Sequence, residues 1–150
     1  QRAVQDIELK DLPHRYQHIT THNQMVFIND SKATNLTALK FALKKMSSPY
    51  LLILCGDPDK EQYESYKIIG PTKVYIFGNH AEEISRKIFH PEKIVFNNKG
   101  LSLVMRAILK ETYDSPTQIL FSPGHPSGQD YKNFEERGDH FIKLVMSLNV

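Results

Sequence analysis

The stretch Met25-Val-Phe-Ile-Asn-Asp-Ser-Lys-Ala-Thr-Asn-Leu36 decides the fold. Its first four residues are apolar, the pattern of a short buried strand. From Leu36 onward, Leu39, Leu43 and Met46 recur at helical spacing, and Pro49 stops that run. A strand thus hands over to a helix through a turn that holds an acid (Asp30), a base (Lys32) and two hydroxyls (Ser31, Thr34). In an open α/β sheet, ligands bind at such turns. The new helix also offers unpaired N–H groups and the positive end of its dipole to an anion. On that reading Lys32 and Thr34 hold a carboxylate or phosphate. The plainer reading is that Asp30, Ser31 or Thr34 caps the helix. Capping needs one of them and leaves Lys32 unexplained, since a cation in the first turn opposes the dipole. Both readings stand at this point.

Upstream, residues 16–20 form a second strand pattern, joined to residues 25–29 by the polar turn Thr21-His-Asn-Gln24, which predicts a hairpin. Downstream, Leu51-Leu-Ile-Leu-Cys55 is apolar throughout, as in a strand buried on both faces. Val74-Tyr-Ile-Phe77, Ile94-Val-Phe96 and Ile119-Leu-Phe121 are further strands. Ala81, Ile84 and Ile88, then Leu101, Val104 and Ile108, recur at helical spacing between them. A last helix carries Phe134, Phe141, Val145 and Leu148 on one face. Gly138 shares that face, at about 1 kcal/mol below Ala in helix propensity, and reads as allowing close approach to the sheet. A hairpin followed by alternating helix and strand predicts a three-layer α/β domain. Its six-stranded sheet should be mostly parallel, with one antiparallel strand from the N-terminal hairpin.

A chain of 150 residues fits one domain, 1–150, and can bury a real core. The formal net charge is +2 with scattered Lys and Arg, which gives no footprint for nucleic acid or an acidic membrane surface. Cys55 is the only cysteine, so no internal disulfide or zinc–thiolate cluster forms, and a reducing, cytoplasmic setting is expected. No apolar run approaches membrane-spanning length, and the opening residues lack a signal-peptide pattern. Gln1-Arg-Ala-Val-Gln-Asp opens without an initiator Met, so the expectation is a fragment of a longer protein.

Three loops follow predicted strands: residues 30–35, Gly56-Asp-Pro-Asp-Lys60 and Ser122-Pro-Gly-His-Pro-Ser-Gly128. Parallel strands end together, so these loops should share one sheet edge and form one rim. Each alone has a plain reading, since Pro and Gly make turns and Asp59-Lys60 suits a solvated surface pair. There is no G-x-x-x-x-G-K-S/T loop and no G-x-G-x-x-G fingerprint, so any ATP-phosphate cradle lies elsewhere. His14, His18 and His22 are four apart, as metal ligands on a helix would be. Pro13 and the strand pattern argue against that helix, and no metal site is expected. His125 is the one histidine in a candidate loop, with no nucleophile–base–acid set beside it. Cys55 ends a buried strand and reads as core.

Read in order, Leu12-Pro-His-Arg15, Asn29-Asp-Ser-Lys-Ala-Thr-Asn35, Ser122-Pro123 with Ser127, and Tyr131-Lys-Asn-Phe-Glu-Glu-Arg-Gly138 resemble the C-terminal domain of the Mur ligases of bacterial peptidoglycan synthesis. The likeness covers essentially the whole chain. The Asp-Ser-Lys-Ala-Thr-Asn and Lys-Asn-Phe-Glu-x-Arg-Gly motifs resemble the members that add D-glutamate to UDP-N-acetylmuramoyl-L-alanine. The resemblance implies a Rossmann-like domain that closes over the site of a three-domain ligase and brings in the amino acid. It implies that ATP makes an acyl phosphate, which the amine of D-glutamate then attacks. ATP and Mg2+ would be bound mainly by a central domain outside this chain, so the chain alone is expected to be inactive. Its partners would be the two substrates and the N-terminal and central domains of the same polypeptide.

By matching position, the resemblance implies that Thr34 and Lys60 hold the α-carboxylate of D-glutamate, and that Ser127 and the backbone at Phe134 hold its side-chain carboxylate. Asp30 would face the nucleotide ribose, and Arg15 and Lys32 its phosphate side, with Lys32 catalytic. A dicarboxylate needs two anion sites, which two loops with hydroxyls and a lysine supply. Cations there would offset charge on a transferring phosphoryl group. The chain has Gly56-Asp57-Pro58-Asp59-Lys60-Glu61 where Gly-Gly-x-Asp-Lys/Arg-Gly is common, and Gly124-His125-Pro126 where Ala-Cys-Ala is common. The alternatives are a Mur-type ligase for another amino acid and a non-catalytic nucleotide- or carboxylate-binding module.

Overall fold

Apolar side chains that alternate along the strands sort this chain into layers. The computed structural model describes residues 12–22, 25–47, 49–60, 65–111, 113 and 115–149; the side chains of 20–22, 60 and 149 fall outside that description. Strand β1 spans Gln17–His22 and β2 Met25–Asn29, followed by helix α1 (Leu36–Lys45) and β3 (Tyr50–Leu54). Then come β4 (Tyr66–Lys67), β5 (Lys73–Gly78), α2 (Ala81–Lys87), β6 (Ile88–Phe89), β7 (Lys93–Asn97), α3 (Leu101–Lys110), β8 (Thr117–Phe121) and α4 (Phe134–Met146). Six strands form one sheet in the order β1-β2-β8-β3-β5-β7. β1 is antiparallel to β2, and every other neighbouring pair is parallel. This is the architecture predicted above.

Successive strand side chains point to opposite faces. On β3, Leu51 and Ile53 join one apolar cluster, and Tyr50, Leu52 and Leu54 join another. The first cluster is closed by Val104 and Ile108 of α3 and by Phe141 and Val145 of α4. The second is closed by Leu39 and Ala42 of α1 and by Ala81 and Ile84 of α2. Helices therefore cover both faces, which is why β3 is apolar at every position. In the first cluster Phe121 stacks on Phe77 and packs at a tilt against Phe141, with ring centroids 6.3 and 4.9 Å away.

Some details depart from the sequence reading. Thr21 and His22 stay in the ladder, paired with Val26 and Met25, so the expected four-residue turn is cut to residues 23–24, outside the described residues. The spacing of Ala81, Ile84 and Ile88 suggests one helix, yet α2 stops at Lys87. Ile88 is extended (φ −107°, ψ 130°) and opens β6, which pairs with β4 in a small parallel ribbon. Ile88 remains wholly buried in the same cluster as Ile84, so strand and helix satisfy the same spacing. Lys93 Nζ takes the carbonyls of Ser85 and Ile88 at 2.7 and 2.9 Å, satisfying the helix end. Leu148 lies beyond α4 in a 3-10 turn (Ser147–Asn149) and still packs on the first cluster. Phe134 does not reach that cluster. Its half-buried ring meets the edge of the His14 ring, 6.1 Å away.

Gly138 was expected to admit the sheet; what approaches it is the His14 ring. A Cβ at 138 would overlap His14 Nδ1. The ring cannot easily withdraw, because Nδ1 accepts from Asn29 Nδ2 at 2.9 Å and Nε2 lies 3.5 Å from Asp139. Gly138→Ala would gain about 1 kcal/mol in helix propensity and lose about 1–3 kcal/mol by overpacking. We expect a net loss, seen as a lower urea midpoint at unchanged slope. In a His14→Ala background the same change should stabilise; equal effects in both backgrounds would refute the contact.

Candidate anion-binding site at the sheet edge

β2, β8 and β3 are neighbours and parallel, so the loops that follow them leave the same edge side by side. The chain reaches β3 from β2 through α1, then returns through α3 to insert β8 between them. That reversal of direction is the kind of crevice where α/β sheets bind ligands. Backbone bonds fuse the rim. Asp30 N–H donates to Phe121 O (2.7 Å), Gly124 N–H to Ala33 O (2.9 Å) and Asp57 N–H to Pro126 O (2.9 Å).

In the first loop the capping question has a clear answer. Asn35 is the N-cap of α1, its side chain accepting the Ala38 N–H at 2.8 Å. Asp30, Ser31 and Thr34 are therefore not needed as caps. Asp30 is buried; its Oδ1 accepts the Tyr16 N–H (2.8 Å) and its Oδ2 the Ser122 hydroxyl (2.7 Å). Burial pushes its carboxyl above the usual range, while these two bonds and the charges of Lys45 and Arg15 pull it down. Each carboxylate oxygen keeps a second lone pair for another donor.

An open cleft of about 450 Å³ lies beside Asp30, walled by Arg15, Tyr16, Lys32, Phe41 and Lys45. Three cations and one carboxylate make it suited to phosphate. The Lys32 ammonium sits 4.7 Å from the centre of the Phe134 ring, and Lys45 lies over Tyr16 at 4.7 Å and Phe41 at 5.2 Å. These cation–π contacts aim the charges while leaving both lysines exposed. Arg15 is carried on a strained turn, since His14 (φ 63°) and Tyr16 (φ 45°) on either side of it are left-handed. The turn is held by Tyr16 N–H to Asp30 and by Lys32 N–H to His14 O (2.9 Å). The donor set does not fit magnesium, because the cleft's one carboxylate already takes two hydrogen bonds amid three cations.

Thr34 and Ser127 are half-buried and sit next to Ala33 and Pro126, on the segments that tie the rim together. Lys60 ends a 3-10 turn (Pro58–Lys60) in the second loop. The Phe134 carbonyl is taken by the Ser31 hydroxyl at 2.8 Å. Its amide, in the first turn of α4, has no acceptor within the helix. His125 is wholly buried and its Nδ1 donates to Pro123 O at 2.9 Å. Burial pushes the Cys55 thiol up to about 12, so it is no nucleophile. Asp57, Asp59 and His80 bring ligand atoms within 4.8 Å of one another. His80 Nε2 already meets Gln129 Oε1 (2.9 Å) and Nδ1 meets Glu83 (3.3 Å), so internal contacts account for this group.

The sequence reading assigned no role to Arg137, which is wholly buried. Its Nε donates to Ser31 Oγ (2.9 Å), one terminal nitrogen to Ser31 O (2.8 Å) and the other to His125 O (2.9 Å). Ser31 Oγ passes its own proton on to Phe134 O. One guanidinium thus joins the first loop, the third loop and α4. Its signal was available: position 137 falls on the buried face of α4 with Gly138, Phe141 and Val145.

An open, mostly parallel α/β sheet with a cationic crevice at its switch point has the geometry and charge to suit an anionic ligand. Comparison with known proteins sharpens that class. The chain is 35% identical over 150 residues to UDP-N-acetylmuramoylalanine–D-glutamate ligase of Trichodesmium erythraeum, spanning 92% of this chain and 31% of that protein. Ligases of the same name from Buchnera aphidicola subsp. Schizaphis graminum and Natranaerobius thermophilus are 35% and 33% identical, over 92% and 90% of this chain and 32% and 30% of theirs. The chain therefore belongs to the Mur ligases, and spans about a third of the length of the curated relatives it matches. No protein-family model matches it. No helix among the described residues is long and apolar enough to cross a membrane.

Arg137→Met removes three charge-assisted hydrogen bonds and leaves two Ser31 acceptors and the His125 carbonyl without that donor. The expected loss is at least about 3 kcal/mol, read from the denaturant midpoint. A loss below about 1 kcal/mol would show that the loops stand without it.

Proposed function

We propose that this chain is the C-terminal, amino-acid-binding domain of an ATP-dependent ligase that joins D-glutamate to UDP-N-acetylmuramoyl-L-alanine. The observation that carries the proposal is that the likeness to ligases so named extends over nine-tenths of the chain. The three fused loops and the cationic cleft support it.

In this reading the cleft takes the nucleotide. Asp30, its oxygens fixed by Tyr16 and Ser122, accepts from the ribose. Arg15 and Lys32 face the phosphates and offset charge as the γ-phosphoryl passes to the substrate carboxylate. Thr34 and Lys60 hold the α-carboxylate of D-glutamate; Ser127 and the Phe134 amide hold its side-chain carboxylate. The amine then attacks the acyl phosphate, and the tetrahedral intermediate collapses to the amide with release of phosphate. The phosphate loop and Mg2+ would be supplied by the central domain, so the isolated chain would not catalyse.

The test is phosphate release by the full-length protein with ATP, Mg2+ and UDP-N-acetylmuramoyl-L-alanine, offered D-Glu, L-Glu, L-Ala or a diamino acid. Release with D-Glu alone is expected; release with another amino acid, or with none, refutes the specificity or the activity. Lys32→Ala should lower kcat about 100-fold or more, and a near-normal rate would remove Lys32 from the chemistry. Thr34→Ala and Ser127→Ala should chiefly raise the KM for D-glutamate. An effect confined to the KM for ATP would reverse the assignment of the two anion sites.

A further inference from the structure

We propose that His80 is a positioning residue: its imidazolium holds Asp57, and through Asp57 it fixes the second and third loops against each other. The identity of the amino acid these loops bind rests on the proposed function; the pairing itself does not.

Asp57 is buried and sits at the junction of the two loops. Its N–H donates to Pro126 O, and its Oδ1 accepts the Asp59 N–H at 2.9 Å. Gly128 (φ +61°) lets the third loop press onto it, since a Cβ there would come within 2.8 Å of Asp57 Cβ. Whatever fixes Asp57 therefore fixes the segment ending at Lys60 and the segment holding Ser127. A buried carboxylate calls for a compensating charge. His80, just before α2, places Nε2 3.8 Å from Asp57 Oδ1. The same nitrogen lies 2.9 Å from Gln129 Oε1, and Nδ1 lies 3.3 Å from Glu83 Oε1. Oxygen acceptors thus face both ring nitrogens, those of Gln129 and Asp57 at Nε2 and that of Glu83 at Nδ1. A neutral imidazole has one N–H, whereas the imidazolium donates from both.

The charged groups around the ring are Asp57 and Asp59 on the second loop, Glu83 on α2, and Asp130 after the third loop. Asp130 Oδ1 accepts the N–H of Asn79, the residue before His80. Arg137 acts on Asp130 but spends its hydrogen bonds on Ser31 and His125. Burial disfavours the charged ring; the bonds to Gln129 and Glu83 and the charges of Asp57 and Glu83 outweigh it and raise the His80 pKa. A raised folded-state pKa means that the stabilisation is full below the ordinary histidine value, about 6.5, and is lost as pH rises through the raised value. The two loops should therefore loosen as pH rises through that raised value.

Two measurements on the full-length protein test this. In the first, histidine labelled at Cε1 is titrated by NMR, with His80 assigned by loss of its signal in His80→Gln. Asp57→Asn should lower the His80 pKa; an unchanged value would overturn the pairing, whatever reaction the protein runs. In the second, the KM for D-glutamate is followed from about pH 6 to about pH 9, across the histidine range. Wild type should show KM rising with pH while kcat changes little. His80→Gln should raise KM about tenfold at low pH, as misplaced binding groups do, and flatten the profile. His80→Lys, which keeps a cation, should restore a low KM and remove the pH dependence. A His80→Gln protein with the wild-type profile would overturn the positioning role. Absence of D-glutamate-dependent turnover in wild type would refute the proposed function and leave the NMR result to decide the pairing.

Discussion

A positive charge with no carboxylate among its hydrogen-bond partners is buried where two rim loops meet the last helix, and the rim takes its shape from it. Burying a guanidinium is expensive, and it demands hydrogen-bond acceptors. Three of the N–H groups of Arg137 find them in the carbonyls of Ser31 and His125 and the hydroxyl of Ser31. Those atoms belong to two loops that are otherwise irregular backbone. Their positions follow from the demand, because moving either loop strands a buried charge. The Ser31 hydroxyl is used twice, accepting from Arg137 and donating to Phe134 O. Fixing the arginine therefore also fixes the start of α4.

The sheet order makes this possible. β8 lies between β2 and β3, so the loop after it touches both others, and its neighbours reach it by backbone bonds on either side. Had the strands followed chain order, the first and third loops would stand apart and one side chain could not span them. The same crossing brings Ser122 to the Asp30 carboxylate and so sets the wall of the cationic cleft.

How much of this was legible in the sequence depends on the range of each interaction. Local periodicity gave the six strands of the main sheet, the helices and the parallel sense, because apolar spacing reports local geometry directly. It also put three loops on one edge. It failed where two local structures satisfy one spacing, as at Ile88, which is equally buried as a strand residue. The neighbours of β8 are a long-range property, and apolar runs of similar length do not encode them. The task of Arg137 is not legible in its motif, since its three acceptor atoms lie in remote loops. A charged residue on the buried face of α4 was a usable signal. Capping by Asp30, Ser31 or Thr34 stood open as one of two readings, and the structure gives the cap to Asn35, next in line and of the same chemistry.

The contacts that complete the rim are also among the most distant along the chain. Arg137 and Ser31 are 106 residues apart, Ser31 and Phe134 are 103 apart, and Ser122 and Asp30 are 92 apart. Contacts of such separation are slow to close, and during synthesis they must wait for the later residue to emerge. On the ribosome, the first loop is made early and then stays without its anchor until the last helix appears. A product that stops short of residue 137 would carry the first loop intact and lack the charge that shapes it.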